Sequence, residues 1–185
     1  MNPFYVDKMH KMVTLLDENG DGALTIDDFY EAADRVAVSF GHLPGSPGYT
    51  AIRDVYTRMW DEVYAGLDTD DDQVLSFDEV IAAHRDTILS PADGYEKFRP
   101  VAQAFLTLAD SDGDGIVSRK EFIQAMNQAF RLPEEDAGRA FDSLDSDGAG
   151  CLTHEQIHQA AKGFFCTDTK SYGAGLFGPI APIRM

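Results

Sequence analysis

Apolar residues recur along this chain at helical spacing in four separate regions, and each region is interrupted by a run of acidic and small polar residues. Met9, Met12, Val13 and Leu16 share one helical face ahead of the first interruption, with Asn2 placed to cap and Pro3 suited to the first turn. Phe29, Ala33, Val36 and Phe40 resume the period beyond it. Ile52, Val55, Tyr56, Met59, Trp60, Val63 and Leu67 lead into the second interruption, and Phe77, Val80, Ile81 and Ile88 lead out. Val101, Phe105 and Leu108 precede the third; Phe122, Ile123, Met126 and Phe130 follow it. Pro133, Glu134, Glu135 and Asp136 read as the acidic first turn of a further helix, which carries Ala140, Phe141 and Leu144 into a fourth interruption. Ile157, Ala161, Phe164 and Phe165 close the pattern, so the chain repeats a helix, loop, helix unit four times.

Two stretches fall outside the repeat. Residues 41–48 predict a loop inside the first half, and residues 90–94 a short link between the halves, 1–89 and 95–165. A link of that size favours two halves packed together. The tail, 166–185, has little helical period, yet Leu176, Phe177, Pro179 and Ile180 predict that it docks on the core instead of leaving those side chains in water.

The interruptions carry the chemistry. Calcium takes six to eight hard oxygen ligands, and a twelve-residue EF-hand loop delivers them from positions one, three, five, seven, nine and twelve, with a sharp turn at six. Residues 110–121 meet every requirement: Asp110, Asp112, Asp114, the turn at Gly115, the carbonyl of Ile116, Ser118 and the closing carboxylate of Glu121. Residues 17–28 offer Asp17, Asn19, Asp21, Gly22 at the turn, Ala23 through its carbonyl, Thr25 and Asp28. Aspartate at the last position is one methylene short, which favours a six-coordinate shell that magnesium also accepts. Residues 68–79 have the full oxygen set in Asp68, Asp70, Asp72, the Val74 carbonyl, Ser76 and Glu79, but Gln73 stands at the turn. A non-glycine residue in the left-handed region costs on the order of 1 kcal/mol, so binding there is expected to be weakened, not lost.

Residues 145–156 keep Asp145, Asp147 and Gly150 but carry Ala149 at position five and Gln156 at position twelve, with Glu155 one place early. This loop is expected to be structural, its Leu152 pairing with Val117 as Leu24 pairs with Leu75 in the other half. Three calcium sites are therefore expected, with magnesium accepted most readily at the loop of Asp17.

Composition narrows the alternatives. The 32 acidic against 15 basic side chains give a net charge of -17, which points to divalent cations as partners and away from nucleic acid or anionic membrane surfaces. Cys151 and Cys166 are the only cysteines, so a disulfide scaffold is excluded and a reducing compartment is the simpler expectation. No apolar run approaches membrane-spanning length and the first residues turn charged at once, which predicts a cytoplasmic protein without a signal segment or membrane insertion. His154 and His158 stand at i, i+4 spacing but have no evident third zinc ligand, and are expected on a solvated helix face. Nothing near Cys166 activates its thiol, and no catalytic constellation is present, so the chain is expected not to be an enzyme.

With these motifs the chain resembles the invertebrate sarcoplasmic calcium-binding proteins and calexcitin. The likeness spans the four units, the long link at 41–48, a first loop ending in Asp28, the altered turn at Gln73 and the depleted fourth loop. It reaches Phe164-Phe165 and Leu176-Phe177-Gly178-Pro179-Ile180, which look like that family's carboxy-terminal segment. The resemblance implies an all-α fold in which two EF-hand pairs pack into one compact globule, with short β-pairing between the loops of each pair and the tail docked on the core. It implies a monomeric cytosolic calcium buffer with no evident protein partner. Two alternatives share the architecture: a calexcitin-like sensor that binds a partner on calcium loading, and a luciferin-binding protein or photoprotein. Dispersed methionines weigh against the sensor; the single Trp60 and the Arg184-Met185 ending weigh against the photoprotein.

Overall fold

The structure, a computed structural model, describes residues 2–89 and 94–180, without the side chains of residues 87, 97, 98 and 101. Residues 90–93 of the link, the Val101 side chain and the Arg184-Met185 ending lie outside the described residues.

Four helix–loop–helix units follow one another. Helices α1 (Pro3–Leu16) and α2 (Ile26–Ser39) flank the first loop; α3 (Pro47–Met59) and α4 (Phe77–His84) flank the second. Helices α5 (Tyr95–Ala109) and α6 (Arg119–Phe130) flank the third, and α7 (Glu134–Leu144) and α8 (His154–Phe165) the fourth. The Asn2 side chain accepts the N–H of Phe4 at 3.0 Å, so α1 starts where its cap and proline direct. The loop expected at 41–48 is shorter, because Ser46 caps α3 and Pro47 is its first residue.

Short strands tie the loops together in pairs. Strands β1 (Ala23–Leu24) and β2 (Leu75–Ser76) pair antiparallel with Leu24 opposite Leu75. Strands β3 (Ile116–Ser118) and β4 (Cys151–Thr153) pair with Val117 opposite Leu152. These are the partners that the apolar residue at position eight of each loop predicts, and all four are buried. The two halves meet where α2 packs on α6 and α3 on α5.

Helix α5 departs from its expected face. Among the described side chains of this helix Tyr95, Leu106 and Ala109 are buried, while Phe105 and Leu108 are only half-buried. The reason is that α5 serves two neighbours: Phe105 and Leu108 turn toward Val36, Val55 and Tyr56 of the first half across a cavity of about 40 Å³. The methionines also differ from expectation. Met12, Met59 and Met126, dispersed in sequence, converge with Phe105, Phe130 and Phe177 on an apolar cavity of about 90 Å³ between the halves. The second unit leaves α-geometry on both sides of its loop, with π-helical turns at Trp60–Tyr64 and Arg85–Leu89. No periodicity reading foresees such turns, which widen a helix by one residue per turn and are rare.

The tail docks as its apolar residues require. Phe177 is buried edge-on against Phe164 and Phe130, with ring centroids 4.8 and 5.0 Å apart. Lys8 of α1 is fully buried, and its ammonium donates to the carbonyls of Phe164 and Thr167, both at 2.5 Å. It thus satisfies orphan carbonyls at the end of α8, where the helix dipole favours a cation. Burial pulls its pKa down to about 8. Among the described residues, no helix is long and apolar enough to cross a membrane.

Backbone contact holds α8 to the tail at two glycines. A Cβ at Gly163 would lie 1.8 Å from the Tyr172 carbonyl oxygen, and one at Gly173 would lie 2.0 Å from that of Ala160. Gly163→Ala is therefore expected to destabilise the protein by about 1–3 kcal/mol, against the ~1 kcal/mol that alanine normally gains over glycine inside a helix. Urea denaturation checks this, and a raised midpoint would show that the tail does not seat on α8.

Candidate metal sites

Each loop is framed by the carboxylate at its first position. Asp17 accepts the N–H groups of Gly20 and Gly22 at 2.7 and 2.9 Å; Asp68 accepts those of Asp71 and Gln73 at 2.7 and 2.8 Å. Asp110 accepts those of Gly113 and Gly115 at 2.9 and 3.0 Å, and Asp145 those of Ala149 and Gly150 at 2.9 and 3.0 Å. The backbone can offer these donors only by turning left-handed at positions four and six. Glycines supply that turn at φ near +70° to +90° in three loops. The loop 68–79 uses Asp71 at +61° and Gln73 at +66°. The left-handed turn foreseen at Gln73 is thus present, and Asp71, which the sequence reading passed over, takes a second one at a smaller cost because aspartate tolerates this region better.

The last position of each loop is also the third residue of the exit helix. Glu79 accepts from the N–H and hydroxyl of Ser76 (3.0 and 2.7 Å) and of Thr69 (3.1 and 2.8 Å). Glu121 accepts likewise from Ser118 (2.9 and 2.8 Å) and Ser111 (3.0 and 2.7 Å). These bonds, led by the Ser76 hydroxyl for Glu79 and the Ser111 hydroxyl for Glu121, hold both carboxyls down at about 2. Both therefore stay ionised, as ion binding requires. Asp28 reaches the N–H of Glu18 at 3.1 Å and that of Thr25 at 2.8 Å. Thr25, Ser76 and Ser118 thus hold the closing carboxylate of their loops through their hydroxyl protons.

Three carboxylates come together in two loops. Asp68, Asp70 and Glu79 have ligand oxygens within 4.8 Å of one another, and so do Asp110, Asp112 and Glu121. Crowding shows electrostatically in the first set, where the Asp70 pKa is raised chiefly by the charge of Asp72. Among the described residues the loop 17–28 forms no such three-carboxylate group, since Asn19 replaces one acid and Asp28 is short. Asp21, Asp72 and Asp114 each accept the N–H two residues on, at 3.0, 2.8 and 3.0 Å.

The fourth loop has a similar shape with Asp145 and Asp147 but no carboxylate at positions five and twelve. Gln156 accepts the Thr153 N–H at 2.8 Å and returns its own N–H to the Thr153 hydroxyl at 3.2 Å. A neutral amide thus completes the capping box as well as a carboxylate does. The adjacent histidines do not converge. His154 lies with Nε2 3.2 Å from Asp110, whereas His158 is buried, held by the Tyr95 hydroxyl at 2.9 Å and Gln103 at 3.1 Å. The expected solvated face is thus wrong for His158, which packs into the seam between α5 and α8.

Position two was passed over in the sequence because it supplies no ligand. In two loops it donates a hydroxyl to the closing carboxylate, from Thr69 and Ser111. In the loop 17–28 it is Glu18, whose side chain has no such proton to give and is buried instead, at 3% exposure.

A family model described as an EF-hand domain pair matches residues 4–35 and 101–129. The fold is similar to a solved Streptomyces coelicolor calcium-binding protein, at 30% identity and a TM-score of 0.73, covering 87% of this chain and 97% of that one. A sarcoplasmic calcium-binding protein from amphioxus is similar at 23% identity and a TM-score of 0.75, with 97% and 98% covered. Calerythrin of Saccharopolyspora erythraea is 23% identical over 85% of this chain and 90% of its own length.

The two left-handed side chains define a test. Gln73→Gly is expected to remove about 1 kcal/mol of strain and to tighten calcium binding at residues 68–79 by roughly five- to tenfold. Asp71→Gly acts in the same direction. Calorimetric titration checks both, and unchanged affinity in the double variant would show that turn strain does not limit this loop.

Proposed function

Because this chain belongs to the four-EF-hand family of sarcoplasmic calcium-binding proteins and calexcitin, we propose that it is a cytoplasmic calcium buffer filling the loops 17–28, 68–79 and 110–121. It is a calcium-binding EF-hand protein; the buffering role and the three sites are this proposal. The observation that carries it is the pair of three-carboxylate groups, each within 4.8 Å, on loops whose strands and turns are already formed. Asp28 gives the first loop a smaller shell, so magnesium is expected to compete there first. The fourth loop acts as the strand partner of the third. On this reading the chain is a monomeric binding protein with no catalysis of its own.

The docked tail supports buffering. Leu176 and Phe177 cover the apolar surface that a sensor would present to a target helix. One observation favours the sensor reading instead: Met12, Met59 and Met126 line a single cavity beneath that tail, and flexible thioethers suit adaptable binding surfaces. The luciferin-binding alternative is weakened by volume. About 90 Å³ is less than the roughly 150 Å³ that admits benzene, and a multi-ring luciferin needs far more.

Calcium titration is expected to give three ions per chain, falling to two in Glu121→Gln. Each ion at a hundredfold excess over its Kd adds about 2.7 kcal/mol to folding, so chelator should lower the melting temperature markedly. A hydrophobic dye should bind no better with calcium than without. One ion per chain would sink the three-site claim; a calcium-dependent rise in dye binding would replace buffer by sensor.

A further inference from the structure

We propose that Glu18 is a positioning residue that couples the loop 17–28 to the loop 110–121, so that an ion in one raises the affinity of the other. The inference rests on the reading that both loops take calcium.

Glu18 connects three parts of the molecule. Its N–H donates to Asp28, the residue that closes its own loop, at 3.1 Å. Its carboxylate accepts from Arg35 of α2 at 2.6 Å and from Arg131 at 2.5 Å. Arg131 is the left-handed cap of α6, at φ 51°. Arg35 also reaches across, donating to the Gln128 carbonyl and, at 3.1 Å, to that of Ala129. Two guanidiniums therefore sit on the C-terminal end of α6, the end whose dipole and free carbonyls favour cations. The buried Glu18 carboxylate bridges both and offsets one of their two positive charges.

Helix α6 begins at the third loop, where Glu121 is its third residue. Twelve residues of helix make a rod of about 18 Å. A rod gripped by Glu121 at one end and by the Glu18 cluster at the other transmits a displacement from one loop to the other. An ion that draws Glu121 inward moves the far end of α6, and with it the anchor of Glu18 and the N–H that holds Asp28. Thermodynamic reciprocity makes the effect mutual.

Stability alone does not account for this residue. A buried ion pair is often no better for stability than apolar packing, and the equivalent positions of the next two loops use Thr69 and Ser111, which bond their own closing carboxylates. Only in the first loop is position two committed to the other half of the molecule, among these three.

The test uses the full chain carrying Glu79→Gln, so that the second loop is silent. Its single tryptophan, Trp60, lies 5.3 Å from Phe29 of α2 and reports the first hand by fluorescence, while calorimetry counts the ions. Two ions are expected in this background. Adding Glu121→Gln should weaken calcium binding at the first loop at least fivefold, a coupling of ordinary allosteric size. With Glu18→Gln also present, Glu121→Gln should leave the first-loop affinity unchanged. Arg131→Gln removes only the half-exposed cation on α6 and should shrink the coupling while leaving the fold intact. A merely structural role for Glu18 would lower affinity equally with or without Glu121, and that equality would overturn the proposal. Two ions bound with no effect of Glu121→Gln overturns the coupling and leaves the calcium reading standing; fewer than two ions overturns both.

Discussion

In each loop the side chain at position twelve accepts the backbone N–H of position nine, so the group that would close on an ion is also the group that starts the exit helix. Helix initiation and charge placement are thereby one interaction. Where the residue is glutamate, four donors keep it ionised and set it within reach of two further carboxylates. Gln156 performs the helix-starting half alone. The fourth unit consequently keeps its fold, its strand and its contribution to the core with a neutral side chain at its last position. Asp145 frames this loop as the first carboxylate frames the others, here through the N–H groups of positions five and six.

The sequence made legible whatever depends on local chemistry. The cap at Asn2, the left-handed Gln73 and the facing pairs Leu24–Leu75 and Val117–Leu152 all follow from spacing and residue type. What stayed hidden depends on distant neighbours. Leu106 outranks Phe105 in burial because α5 is shared between halves. His158 is buried because Tyr95 and Gln103 lie across from it on another helix. Met12, Met59 and Met126 are scattered along the chain and meet only in space. Glu18 was overlooked for a related reason: a loop template ranks positions by ligands, and position two supplies none. Asp71 was within reach, since Gly20, Gly113 and Gly148 mark the same position in the other loops.

The two ends of the chain share one anchor. Lys8 near the start holds the carbonyls that end α8, and Asn2 donates to the Asp168 carbonyl at 2.7 Å. Helix α1 belongs to the first unit and α8 to the last, so the tail is fastened by the opening helix as well as by its own Phe177. Displacing the tail would uncover the methionine cavity, strip acceptors from a buried ammonium and separate Gly163 from the backbone it touches. Those losses fall together, which makes a closed surface the stable arrangement and gives the buffering proposal its physical footing.

The hands differ less in ligands than in what each is fastened to. The loop 68–79 has a complete acid set yet bears two strained turn residues, a raised Asp70 and π-helical turns on both flanks. The loop 17–28 has fewer charges but is held from outside through Glu18. The loop 110–121 combines unstrained glycines, a full acid set and an exit helix that reaches the opposite half. With 32 acidic side chains against 15 basic ones, every divalent ion also relieves repulsion across the whole surface. That relief is shared by the sites, so differences among them come from ligand set, strain and attachment, and α6 is the element that fastens the third loop to the first half.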